Sequence, residues 1–99
     1  MIETSQIKED LKEIRYYYEM KKAFDSASAF LQPKILLCKV DRYNAAVKNA
    51  PAKLFIIYYS LYVEGNTHER LAEEWGYSRQ YISTLNDELV KFLQKNLMS

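Results

Sequence analysis

The most informative segment of this 99-residue chain is Thr67-His68-Glu69-Arg70-Leu71-Ala72-Glu73-Glu74-Trp75-Gly76-Tyr77-Ser78-Arg79-Gln80-Tyr81-Ile82-Ser83-Thr84-Leu85. Thr67 and Ser78 are residue types that cap the N-terminus of a helix. Between them, Gly76 supplies the positive φ of a tight turn, and the small Ala72 permits a second helix to approach closely. These features predict two short helices joined by a turn of three or four residues, which is a helix-turn-helix.

Helix signals continue on the N-terminal side of this segment. Thr4 or Ser5 caps a first helix, and a polar break at 25–28 followed by Pro33 separates it from a second. Pro51 suits the first turn of a third helix, and Gly65 suits the left-handed residue after its end. Glycine and proline number two each, which disfavours a turn-rich β sandwich or barrel.

We therefore expect an all-α fold, namely a small five-helix domain with a C-terminal helix-turn-helix. The predicted helices lie near residues 5–24, 34–48, 51–63, 67–75 and 78–96. Residues 1–50 form an N-terminal helical part that serves the core or dimerisation, and residues 51–99 form the helix-turn-helix part. The two parts are expected to make one compact domain.

The apolar pattern predicts a core centred on the third helix, which is apolar on nearly all sides and is thus typical of a central, buried helix. Trp75 and Tyr77 are expected to pack the turn into this core. The expected core residues are Phe55, Ile56, Tyr59, Leu71, Trp75, Ile82, Leu85 and Leu89. The first helix has its own apolar stripe, Ile7, Leu11, Ile14 and Tyr18, which packs either in the core or against a second copy.

The composition excludes several classes of function. The 14 basic and 13 acidic residues give a net charge of +1, so nucleic-acid binding must rest on a local face. The single cysteine, Cys38, excludes an internal disulfide, fits a reducing cytoplasm and is expected to be buried. The single histidine, His68, leaves no His/Cys cluster for zinc and is expected to be exposed. We expect no cofactor and no metal.

Neither catalysis nor membrane insertion is expected. The chain has no glycine-rich phosphate loop and no histidine placed near a nucleophile and an acid, so we do not expect an enzyme. Acids and lysines occupy the N-terminus where a signal peptide needs an apolar stretch. The longest mostly apolar run, residues 54–63, is about half of the ~20 residues needed to cross a bilayer. We expect a soluble cytoplasmic protein.

Residues 54–93 resemble the C-terminal helix-turn-helix domain of primary-type sigma factors, and the small phage-encoded transcription regulators that reuse it. The likeness includes residues 61–67, where an apolar helix ends and a loop leads to the capping Thr67. By this resemblance, residues 69–75 are the supporting helix and residues 79–89 are the recognition helix. The resemblance implies a phage-encoded, DNA-binding transcriptional regulator that reads duplex DNA in the major groove with the helix starting at Ser78.

The candidate DNA-binding residues lie on the outward side of that recognition helix. They are Ser78, Arg79, Gln80, Tyr81, Ser83 and Thr84. Arg79 has the donors for a bidentate contact to guanine, and Gln80 has the donor and acceptor for adenine. Ser83 or Thr84 reaches bases or phosphate, and Tyr81 flanks the face, where it contacts a phosphate or a thymine methyl.

The charge of this helix departs from the family, since Arg79 is its one basic residue. Residues 51–99 carry five basic and six acidic residues, a net of −1, against +2 for residues 1–50. Each neutralised phosphate adds affinity through counterion release, and one copy with so few basic residues in this half offers few phosphate contacts. A dimer doubles these contacts, so we expect a homodimer. The N-terminal half is expected to add phosphate contacts from Lys21, Lys22, Arg15 or Lys48. The alternative is a protein-interaction module on the same frame, which binds a host protein such as RNA polymerase or a nuclease.

Overall fold

The chain folds as a set of helices that pack around one apolar core. The computed structural model describes residues 2–24 and 34–97, and these contain no strand. The predicted break at 25–28 and the segment up to Pro33 lie outside the described residues. The helices are α1 (Thr4–Phe24), α2 (Lys34–Val47), α3 (Ala52–Tyr58), α4 (His68–Trp75) and α5 (Arg79–Asn96), with a π-helical turn (Tyr59–Val63) directly after α3. The predicted all-α class is confirmed for the described residues.

The caps that the sequence predicts define where α4 and α5 begin. The Thr67 hydroxyl accepts a hydrogen bond from the backbone N–H of Arg70 at 3.1 Å. The Ser78 hydroxyl accepts one from the N–H of Tyr81, also at 3.1 Å. Gly76 has φ 74° and so makes the left-handed turn between the two helices. Each cap satisfies a helix N–H that has no partner within the helix, which is worth about 1 kcal/mol.

The third helix presents a different face to the core from the one predicted. Its buried side chains are Leu54, Ile57 and Tyr58, followed by Leu61 in the π-helical turn. Phe55, Ile56 and Tyr59 are 39–48% exposed, so their assignment to the core is wrong. A helix that is apolar on all sides has no periodic signal that distinguishes its inner face from its outer face. The end of this helix also differs, because the Glu64 N–H donates to the Tyr59 carbonyl, five residues back, at 2.8 Å.

The apolar stripe of α1 packs in the core of its own chain. Ile7, Leu11 and Ile14 are at most 1% exposed, and α1 contacts α2, α5 and the π-helical turn. Of the two alternatives for this stripe, packing in the core is the one found, so these three residues are not available for pairing with a second copy. The rest of the predicted core is largely confirmed. Leu71, Ile82, Leu85 and Leu89 are buried, whereas Trp75 is only partly buried against them.

Two polar networks that the sequence analysis did not predict join the N-terminal helices to the core. Asp10 of α1 is buried and accepts a hydrogen bond from the Tyr43 hydroxyl of α2 at 2.6 Å. Lys39 of α2 lies 3.0 Å from the same carboxylate. In the second network, Asn44 of α2 donates to the Tyr18 hydroxyl and accepts from that of Tyr58. Cys38, expected to be buried, is exposed on the outer side of α2.

Candidate nucleic-acid interface

The candidate residues lie on the exposed part of the first turns of α5. Arg79, Gln80, Ser83 and Thr84 are all exposed, while Ile82, Leu85 and Leu89 of the same helix are buried. The burial of this inward row fixes the rotation of α5 about its axis. The side chains that the sequence assigned to the outward face are therefore open to solvent.

Arg79 is held across the turn by a residue of α4. Its guanidinium lies 3.2 Å from the Glu69 carboxylate, and the side chains are 69% and 73% exposed. An ion pair with this much exposure contributes about 0–1 kcal/mol. A ligand that offers two acceptors to the guanidinium can therefore replace Glu69 at little cost.

The hydroxyl groups of the candidate set differ in what they can still offer a ligand. The Thr84 hydroxyl donates to the Gln80 carbonyl at 3.0 Å, so its one proton is used within the helix. Phosphate oxygens accept hydrogen bonds only, so Thr84 in this conformation does not serve a phosphate. The Ser78 hydroxyl accepts from Tyr81 and keeps its proton. Ser83 makes no hydrogen bond with its side chain among the described residues, which leaves its hydroxyl free to donate.

An apolar groove borders one side of this face. Tyr81, Leu85 and Glu88 follow one another at helical spacing on that side of α5, and the Tyr81 ring lies 4.8 Å from that of Tyr77. The groove has a volume of about 500 Å³ and is lined by Lys53, Ile56, Trp75, Tyr77, Tyr81 and Leu85. Tyr77 is 55% exposed, so its predicted packing into the core is wrong.

A second cleft borders the opposite side of α5 and is rich in basic side chains. Arg79, Ser83 and Asn86 follow one another on this side at spacings of four and three. The cleft has a volume of about 310 Å³ and is lined by Lys8, Lys12, Arg15, Leu61, Tyr62, His68 and Asn86. The Tyr62 hydroxyl donates to the side-chain amide oxygen of Asn86, and burial raises the pKa of Tyr62 to about 12.

His68 lies in this cleft and is partly buried, contrary to the expectation that it is exposed. Its Nε2 atom is buried and has no hydrogen-bond partner among the described residues. Burial lowers the pKa of His68, and the nearby positive charges of Arg79 and Arg15 lower it further, while the Asp87 carboxylate opposes them. The imidazole thus lies near two guanidinium groups and one carboxylate, and the net effect of its surroundings disfavours the imidazolium.

The other cations proposed for the N-terminal half lie elsewhere. The Lys22 ammonium donates to the Glu64 carbonyl at 2.8 Å, and Lys21 is exposed at the end of α1. Lys48 lies just beyond α2 and does not line the basic cleft. Arg15 is the one of the four predicted cations that lines the basic cleft, and it donates to the Gly65 carbonyl, in the loop before α4, at 3.0 Å.

Comparison of the chain with models of protein families, with curated proteins and with solved structures gives no match. In the described part of the chain, no three His, Cys, Asp or Glu side chains are grouped so that they could hold a metal ion. Within residues 2–24 and 34–97, no helix combines the length and the apolar character needed to span a membrane.

Proposed function

We propose that α4 and α5 form a helix-turn-helix that binds duplex DNA, and that the protein regulates transcription in the manner of small phage-encoded regulators. The observation that carries this proposal is the exposed first turn of α5. Ser78 caps that turn, and Arg79 and Gln80 project from it next to each other. In DNA-binding proteins of this kind, the first residues of the second helix contact base edges in the major groove.

Each exposed side chain has a role that follows from its hydrogen-bonding groups. Arg79 exchanges Glu69 for the O6 and N7 acceptors of a guanine, and Gln80 offers a donor and an acceptor to an adenine. Ser83 donates to a base or a phosphate. Tyr81 lies at the edge of the face, where its ring can contact a thymine methyl. Ser78 acts mainly through its cap, which positions the first turn.

A homodimer is part of this proposal, because one such helix reads too few base pairs to identify a site in a genome. Two copies would place their recognition helices about 34 Å apart, one turn of the duplex. Since Ile7, Leu11 and Ile14 are buried, the two copies must pair through a surface other than the α1 stripe.

The direct test is selection of bound duplexes from a random pool at low salt, followed by binding measurements at increasing salt. We expect the protein to enrich a sequence and its affinity to fall as salt rises, because phosphate contacts release counterions. If the protein retains no duplex even at low salt, the proposal is wrong.

The alternative function, a protein-interaction module, is favoured by the apolar groove beside α5. Its exposed aromatic and aliphatic side chains are of the kind that dock protein partners. The partner that we would test is bacterial RNA polymerase. If purified polymerase binds, Ile56→Gln in the groove should weaken binding. Ile35→Gln, which removes an 80% exposed isoleucine on α2, should leave binding unchanged.

A further inference from the structure

The basic cleft beside α4 is built mainly by α1. Lys8, Lys12 and Arg15 follow one another at spacings of four and three, so they form one row on the helix surface. All three line the cleft. The row lies next to the buried stripe of α1, and the packing of that stripe in the core therefore fixes the direction in which the row faces.

The acidic partners of this row leave its charge available. Lys12 pairs with Glu9 at 3.5 Å, with side chains 75% and 64% exposed. Arg15 pairs with Glu19 at 3.3 Å, and that carboxylate is also more than half exposed. Such surface pairs are weak and are screened by salt. Lys8 forms no ion pair with any residue that the structure describes.

The cleft lies next to the side of α5 that carries some of the candidate DNA-binding residues. Asn86 lines the cleft, and it lies on the same side of α5 as Arg79 and Ser83. Arg79 is also close enough to His68, which lines the cleft, to lower the pKa of that imidazole. The cleft is therefore adjacent to the side of α5 that carries Arg79, where a duplex bound through Arg79 would lie.

We propose that this cleft binds a backbone phosphate of the duplex, with Lys8 and Lys12 as the principal contacts and Arg15 as a fixed positive charge. The proposal rests on the proposed function, because it names the phosphate contacts of the same interface. It assigns these contacts to residues 1–50, which carry the net charge of +2, and not to residues 51–99, which carry −1.

The first test measures how binding of the selected duplex depends on salt. The double variant Lys8→Gln, Lys12→Gln removes both lysines that neutralise this one phosphate, so the slope of log K against log salt should become shallower by about 0.9. Lys48→Gln is the matched control, because it removes an exposed lysine that does not line the cleft. Both lysines of the double variant are exposed, and thermal melts verify that the variants fold.

The second test needs no DNA and uses His68 as a probe, since it is the only histidine of the chain. Its imidazole signals are titrated by NMR with and without inorganic phosphate, and with sodium chloride at equal ionic strength as the control. An anion in the cleft stabilises the imidazolium, so phosphate should raise the pKa of His68. The rise should be smaller in the Lys8→Gln, Lys12→Gln variant.

The outcomes separate this inference from the proposed function. If the wild type binds the duplex but the double variant keeps the slope of Lys48→Gln, the phosphate cleft is wrong and the proposed function stands. If the wild type binds no duplex, the proposed function fails. The titration of His68 with inorganic phosphate is then the remaining test of whether the cleft binds phosphate. A rise in the pKa of His68 then supports a phosphate site in the cleft, and an unchanged pKa overturns it.

Discussion

Asp10 is a carboxylate buried between α1 and α2 whose partners come from both helices. Tyr43 and Lys39 of α2 contact it, and Gln6 of α1 donates to it at 2.9 Å. Burial raises the pKa of Asp10, but the hydrogen bonds from Tyr43, Gln6 and Lys39 outweigh burial, so the net pKa is lowered. A buried carboxylate with hydrogen-bond partners on two helices stabilises their packing, whereas a buried carboxylate that loses its partners destabilises the fold.

We expect Asp10→Ala to lower the free energy of unfolding at neutral pH by about 1–3 kcal/mol, because the buried Tyr43 hydroxyl loses its acceptor. The folded pKa of Asp10 is below the unfolded value, so its contribution is present above the unfolded pKa and is lost as the pH falls through the folded pKa. Urea unfolding at neutral pH and at low pH should show the difference between wild type and variant shrinking in acid.

Asp41→Ala, which removes an exposed carboxylate of α2, is the control for the Asp10 prediction. It should change the free energy of unfolding little at either pH. An Asp10→Ala variant as stable as the wild type at neutral pH would show that the carboxylate does not hold α1 to α2.

Gly76 makes the connection between α4 and α5 with a left-handed φ of 74°. A Cβ added there meets no heavy atom within 4 Å, so only the backbone conformation opposes a larger residue. We expect Gly76→Ala to lower the free energy of unfolding by about 1–2 kcal/mol.

Asparagine tolerates the left-handed region better than alanine, so Gly76→Asn should cost less. Chemical denaturation of the two variants compares them directly. Equal stability of wild type and Gly76→Ala would mean that the turn adopts another conformation.

Among the helices, α3 gives the sharpest test of which side chains face the core. Ile57 is completely buried, and its neighbour Ile56 is 48% exposed. We expect Ile57→Ala to cost about 2–5 kcal/mol, because it leaves a cavity. Ile56→Ala should change stability by about 0.5 kcal/mol or less, as surface substitutions usually do. The urea unfolding midpoints of the two variants test this prediction. A larger loss of stability for Ile56→Ala than for Ile57→Ala would support the core face that the sequence predicted.

The helices illustrate which parts of the fold could be predicted from the sequence. The bounds of α4 and α5 were predictable because Thr67, Gly76 and Ser78 act on backbone groups within a few residues. The inner face of α3 was not, because its residues are apolar on every side. The contact between Asp10 and Tyr43 joins residues 33 apart, and no local pattern indicates such a pair.

The candidate interface likewise has one part that could be predicted from the sequence and one part that could not. The helical period of α5 placed Arg79, Gln80 and Ser83 outward, and all three are exposed. The basic cleft was not predictable, since it requires α1 to pack against α5 and the π-helical turn. The spacing of Lys8, Lys12 and Arg15 was the available signal, but it is typical of any solvated helix face.

For the molecule as a whole, the proposed function requires two copies of the chain. Sedimentation equilibrium over a range of protein concentrations should give twice the chain mass of 11.7 kDa, with dissociation on dilution as mass action requires. A mass of 11.7 kDa at every concentration would exclude the free dimer, and recognition would then require that two copies pair on the DNA.

If α5 reads base edges, as proposed, the affinity of Arg79→Ala should differ between selected and scrambled duplexes. Lys91→Ala, which removes an exposed charge further along α5, is the comparison. We predict that Arg79→Ala loses about 1–3 kcal/mol on the selected duplex and much less on the scrambled one, whereas Lys91→Ala affects both alike. Equal losses on both duplexes for Arg79→Ala would show that this side chain reads no base, and the proposed role of α5 would be wrong.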